Sequence, residues 1–121
     1  MDYASKAYAK TAREIADPRE LEAGLLLQAA AKLQAVQNCW KEQRRRLDEA
    51  LLYNRRLWTV FLDSLIKDDN RLPKPLHENL KTLSAFVLCE IFSLMTKPKQ
   101  KHLDNLININ RRIAAGLRSR R

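Results

Sequence analysis

The stretch LDNLININRRIAAGL, residues 103–117, reads as an amphipathic helix with one residue out of place. At about 100° per residue, Leu103, Leu106, Ile107, Ala114 and Leu117 share one face, and Asn105 and Asn108 point to the other. Asn110 falls near the middle of the apolar face. The same anomaly occurs earlier, where YNRRLW (53–58) parallels INRRIA (109–114). Asn54 lies seven residues after Leu47 and seven before Phe61; Asn110 lies seven after Leu103 and seven before Leu117. Each amide therefore holds a core-type heptad position inside an apolar column. A buried amide with unmade hydrogen bonds costs about 1–3 kcal/mol. Either the two amides answer each other across a bundle and fix its register, or both line a groove that a partner peptide fills.

Working outward, the chain has the length of one domain. Its hydrophobic fraction of 45% is enough for a packed core, and two glycines and four prolines among 121 residues favour helix over a turn-rich sheet protein. ADPRELE (16–22) is a helix start: Asp17 can cap, Pro18 suits the first position and Glu20 completes a capping box. Leu21, Leu25, Ala29, Leu33, Val36 and Trp40 then trace one face of a segment over 18–40. Leu47, Ala50, Leu51, Leu57, Trp58, Phe61 and Leu65 form the seam of a segment over 41–67. The two seams nearly share a phase, which favours one long helix bent near Trp40; the polar Gln37-Asn38 pair is the alternative break. DDNRLPKPL (68–76) is a loop.

A third segment, 75–96, has Leu80, Leu83, Val87, Ile91 and Leu94 on its seam. Phe86, Leu88, Phe92 and Met95 widen its apolar arc beyond a normal stripe, so this helix is either central or partly covered by a partner. A fourth follows Pro98 over 99–117, with Gly116 in its last turn, where helices commonly end. The expected fold is all-α, a small antiparallel bundle of three to four helices spanning 17–117. A mobile N-terminal tail (1–16) and a frayed basic tail (118–121) flank it.

The chemistry of common enzymes is missing. His77 and His102 have no acid or nucleophile at a diagnostic spacing, and there is no glycine-rich phosphate loop or metal motif. Cys39 and Cys89 fit no metal spacing, and Glu90 lies at the edge of an apolar arc without companions. The expectation is a non-enzyme with no cofactor. No uninterrupted apolar run reaches the roughly 18 residues of a membrane span, and the first twenty residues lack a secretory apolar core, so a cytoplasmic protein without membrane insertion is expected. The net charge is +9, but Arg44–Arg46, Arg55-Arg56 and Arg111-Arg112 lie far apart in the chain. Neighbouring arginines diverge by about 100° on a helix, so no one-faced basic stripe forms.

LQAV (33–36), Trp40, LDEALLYNRRLWTVFL (47–62), DDNRLP (68–73), FVL (86–88), SLM (93–95) and KHLDNLININRRIAAGL (101–117) together resemble the flagellar biosynthesis regulator FlaF family of alphaproteobacteria. Cys89-Glu90 departs from the asparagine–histidine pair that the family more often carries there. The resemblance implies a cytoplasmic protein that binds flagellin, supports its synthesis and secretion in the manner of an export chaperone, and is needed for flagellum assembly and motility. It also implies a functional link to FlbT, which restrains flagellin translation. Helix-in-groove capture of an amphipathic segment is physically suited to that role. On wheel phase the candidate partner-binding residues are Leu88, Phe92 and Met95, with Leu27 in a second stripe (Ala23, Leu27, Ala30) that serves either a partner or a homodimer. The alternative function is a basic helical RNA-binding regulator of flagellin messenger RNA. Without a helix-turn-helix signal or an aromatic stacking platform, direct nucleic-acid binding is disfavoured.

Overall fold

The structure, a computed structural model, describes Lys6, residues 18–67 and residues 72–119. The expected N-terminal tail apart from Lys6, the Asp17 cap, the DDNR stretch (68–71) of the loop and the final two arginines lie outside the described residues. Four long helices make up the fold among the described residues: α1 (Pro18–Asn38), α2 (Leu47–Ile66), α3 (Lys74–Thr96) and α4 (Leu103–Ser119). No strand occurs among the described residues.

The first two segments are not one long helix. The backbone leaves the helical region at Cys39 (φ −128°, ψ 55°). A single turn, Trp40–Gln43, and a tight 3-10 turn, Arg44–Arg46, then reverse the chain. The Gln43 amide donates to the Cys39 carbonyl at 2.8 Å, closing the turn. The seams of α1 and α2 share a phase because they meet each other. Tyr53 donates its hydroxyl proton to the Gln28 side chain at 2.8 Å, and Lys32 sits over the Tyr53 ring. A continuous rod would leave both apolar stripes in water.

The polar Gln37-Asn38 pair therefore marks the break, and its side chains are put to use. Gln37 donates to the Gln100 carbonyl at 3.0 Å and to Asp104 at 2.7 Å, and Gln100 donates back to the Gln37 carbonyl at 2.8 Å. This ties the end of α1 to the start of α4. At the far end of the same pair, Arg118 grips Glu20 with two nitrogens at 2.8 and 3.1 Å. The hydrogen bond and the charge of Glu20 raise the Arg118 pKa above its usual value, against a smaller opposing effect of burial. Arg118 is thus no frayed tail residue, and Gly116 does not end α4, which runs on to Ser119.

α1 and α4 make the most extensive backbone contact in the bundle, with Ala23 and Ala30 on one side and Ala114 on the other, all buried. Small residues permit that contact. α2 and α3 form the second close pair, also antiparallel: the His77 ring places Nε2 2.7 Å from the Leu65 carbonyl. A carbonyl only accepts, so Nε2 carries the proton. α3 and α4 barely approach at the backbone, yet Val87, Ile91 and Leu94 of α3 join Leu103, Leu106 and Ile107 of α4 in one core. Consecutive helices run up, down, up, down.

α3 stops at Thr96 because Pro98 disfavours helical geometry at the preceding residue, and Lys97 turns extended (φ −130°, ψ 85°). α4 begins later than the expected 99: Lys99 is extended, and a 3-10 turn, Gln100–His102, precedes Leu103. α3 is also long and apolar enough to cross a membrane by length and composition. A run-length test misses this because single polar residues interrupt it.

Candidate functional site

Two regions carry the residues singled out from the sequence. The first is a polar knot at the centre of the bundle. Asn54 is 0% exposed and Asn110 1%. Asn110 donates its amide nitrogen to the Asn54 oxygen at 2.7 Å. Asn54 in turn donates to the Ala50 carbonyl one turn back at 2.9 Å and, more weakly, to the Ala29 carbonyl of α1 at 3.3 Å. The Asn110 oxygen accepts the indole proton of Trp58 at 2.8 Å. The knot spans α1, α2 and α4, and both amides are occupied inside the chain rather than opening onto a groove.

Trp58 was an apolar seam residue in the sequence, so its polar role there was missed. The signal was present: Trp58 lies one turn beyond Asn54, and a buried indole N–H needs an acceptor. Its ring also packs edge-on against Phe61, with centroids 5.7 Å apart. A one-turn slip of α4 would carry Asn110 about 5.4 Å along the axis and strand the Asn54 oxygen and the Trp58 N–H together.

The second region is the apolar surface of α2 and α3. Phe92 projects into solvent, 71% exposed. Leu88 and Met95 do not join it; both are half-buried and pack against the core. On the wheel they lie between the seam and Phe92, on the flank that the close α2–α3 pairing covers. The second proposed stripe is likewise internal. Ala23 and Ala30 are buried and Leu27 packs against the core, so the stripe is not a free dimer surface.

Two exposed apolar side chains of α2 were not singled out from the sequence, and Phe86 of the widened α3 arc is exposed as well. Val60 is 66%, Ile66 62% and Phe86 51% exposed. Together with Phe92 they place on α2 and α3 four of the five large exposed hydrophobics among the described residues; the fifth is Leu21 of α1. Val60 sits about 80° from Ala50, the nearest buried position of its helix on the wheel, and about 160° from Trp58, off the seam that the periodic pattern marks. Among the described residues no three of His, Cys, Asp and Glu gather to hold a metal ion. The cysteines are free and exposed.

The sequence model of the family described as "Flagellar protein FlaF" matches residues 4–117. No curated protein and no solved structure matches the chain.

Proposed function

The chain belongs to the flagellar protein FlaF family, and from that premise we propose that it is a cytoplasmic, non-enzymatic binding module for flagellin. Membership carries a role in flagellar biosynthesis. The proposal concerns how that role is performed: the protein shelters an amphipathic segment of unassembled flagellin and supports its synthesis and secretion, in functional connection with FlbT. The observation that supports it is the asymmetry of the surface. Val60, Ile66, Phe86 and Phe92 expose apolar area on the α2–α3 half. The α1–α4 half is closed by alanine packing and rimmed by Glu20–Arg118, Gln34–Arg111 and Gln37–Asp104 contacts. Phe86 and Phe92, like Val60 and Ile66, stand about 120° apart on their helices, so an amphipathic helix laid along α2 and α3 would bury part of what a monomer otherwise leaves wet.

The test is a titration of purified protein with monomeric flagellin, using the wild type and a Phe86→Ser/Phe92→Ser variant. Micromolar binding that the double variant weakens at least tenfold, with an unchanged melting curve, supports the reading. No binding by the wild type refutes direct capture.

A further inference from the structure

The arginines and lysines that the sequence scatters are collected by the fold at one end of the bundle. Because the helices alternate in direction, the α1–α2 connector and the α3–α4 connector lie at the same pole. The reciprocal Gln37–Gln100 hydrogen bonds hold the two together. The first connector carries Lys41, Arg44, Arg45 and Arg46; the second carries Lys97, Lys99 and Lys101, with His102 beside them. All of these side chains are exposed. None of the seven lysines and arginines is paired with a carboxylate, in contrast to Lys67, Lys81 and Arg118 elsewhere in the molecule. Glu42, Asp48, Glu49 and Asp104 are the acidic groups at this pole, which leaves it net positive.

We propose that this pole binds single-stranded nucleic acid through its phosphate backbone. The argument against other occupants comes from what the pole lacks. Among the described residues none of the large exposed hydrophobics lies on either connector, the nearest being Phe92 just over one turn before Lys97, so the connectors themselves carry neither the insertion residues of a membrane-binding surface nor the apolar centre of a protein interface. Its one aromatic is half-buried Trp40, with the Arg44 guanidinium 5.3 Å from the ring centre. An indole and a guanidinium plane are the groups on which an unstacked base rests. The Trp40–Arg44 pair can serve unpaired bases, which a flexible strand offers and a duplex keeps stacked inside. Nothing at the pole selects a 2′-hydroxyl, so RNA and DNA strands bind alike. The proposal is independent of flagellin capture, which uses the sides of α2 and α3.

Fluorescence anisotropy tests it, with a labelled single-stranded RNA of mixed sequence and about 20 nucleotides, longer than common single-strand site sizes. Engagement of about six phosphates gives a log–log salt slope near −4, or roughly 300-fold weaker binding between about 50 and 200 mM salt. Arg44→Gln/Arg45→Gln/Arg46→Gln and, separately, Lys97→Gln/Lys99→Gln/Lys101→Gln each bring the slope to about −2, so the same salt change costs roughly 20-fold. Arg55→Gln/Arg56→Gln, exposed on the side of α2, leaves slope and affinity within twofold. Equal binding of a single-stranded DNA and weaker binding of a duplex support the strand reading. The proposal is overturned if the wild type does not bind, if either connector variant binds as the wild type does, if the α2 control falls equally, or if poly-glutamate of matched charge displaces RNA as well as unlabelled RNA does.

Discussion

Replacing the knot's amides one at a time and together should give strongly non-additive stability changes. In Asn110→Leu, two buried groups lose their partners: the Asn54 oxygen, held at 2.7 Å, and the Trp58 N–H, held at 2.8 Å. At about 1–3 kcal/mol for each stranded group, the loss is at least about 2 kcal/mol. Asn54→Leu strands one group, the Asn110 amide nitrogen, and so costs less, about 1–3 kcal/mol. In the double variant only the Trp58 N–H is left without its acceptor. The pair is then less damaging than Asn110→Leu alone, with a favourable coupling of about 2 kcal/mol or more. Adding Trp58→Phe removes the last stranded donor and recovers further stability, within the cost of fitting larger side chains, about 1–3 kcal/mol. Urea and thermal unfolding followed by helical circular dichroism would measure the series; each 1 kcal/mol moves the thermal midpoint by about 4 °C for a domain of this size. Additivity within about 0.3–0.5 kcal/mol would refute the reasoning, since groups that do not touch have no coupling to lose.

Three further outcomes follow from packing. Leu88→Ala should cost about 1–2 kcal/mol, less than the full-burial range because the side chain is half-buried, whereas Phe92→Ala should stay within about 0.5 kcal/mol; equal melting temperatures for the two would contradict their different placements. Gly116→Ala should raise stability by about 0.5–1 kcal/mol, because an added Cβ meets nothing within 4 Å and the site is helical. A lower midpoint in urea would show that the glycine is needed. Ala114→Leu should destabilise by about 1–3 kcal/mol by forcing α1 and α4 apart, and unchanged unfolding would mean that their close approach is not the packing constraint it looks to be.

The sequence by itself determined the helical class, most helix limits and the identity of the buried amides. Each follows from residues within about one or two turns of one another. Pro18 and Pro98 set a start and a stop through local sterics. Heptad spacing places Asn54 and Asn110 inside apolar columns whatever lies opposite, because the period of a helix fixes which side chains share a face. Even so, the spacing favoured register without excluding the groove, and it was silent on Trp58 as the donor to Asn110. Those depend on which face meets which.

Only the tertiary structure decided where the long periodic run from 18 to 67 turns back. Phase is preserved whether two stripes continue one rod or face each other, so periodicity alone does not separate a rod from a hairpin; burial of both stripes does. The same holds for the wide arc of α3. A wheel orders Leu88, Met95 and Phe92 by angle, but only the packing of the bundle determines that the first two rest against the core and the third is wet. Charge is the clearest case. Lys41 to Arg46 and Lys97 to Lys101 stand about fifty residues apart in the chain, and they share a pole because four alternating helices return the chain to the same end.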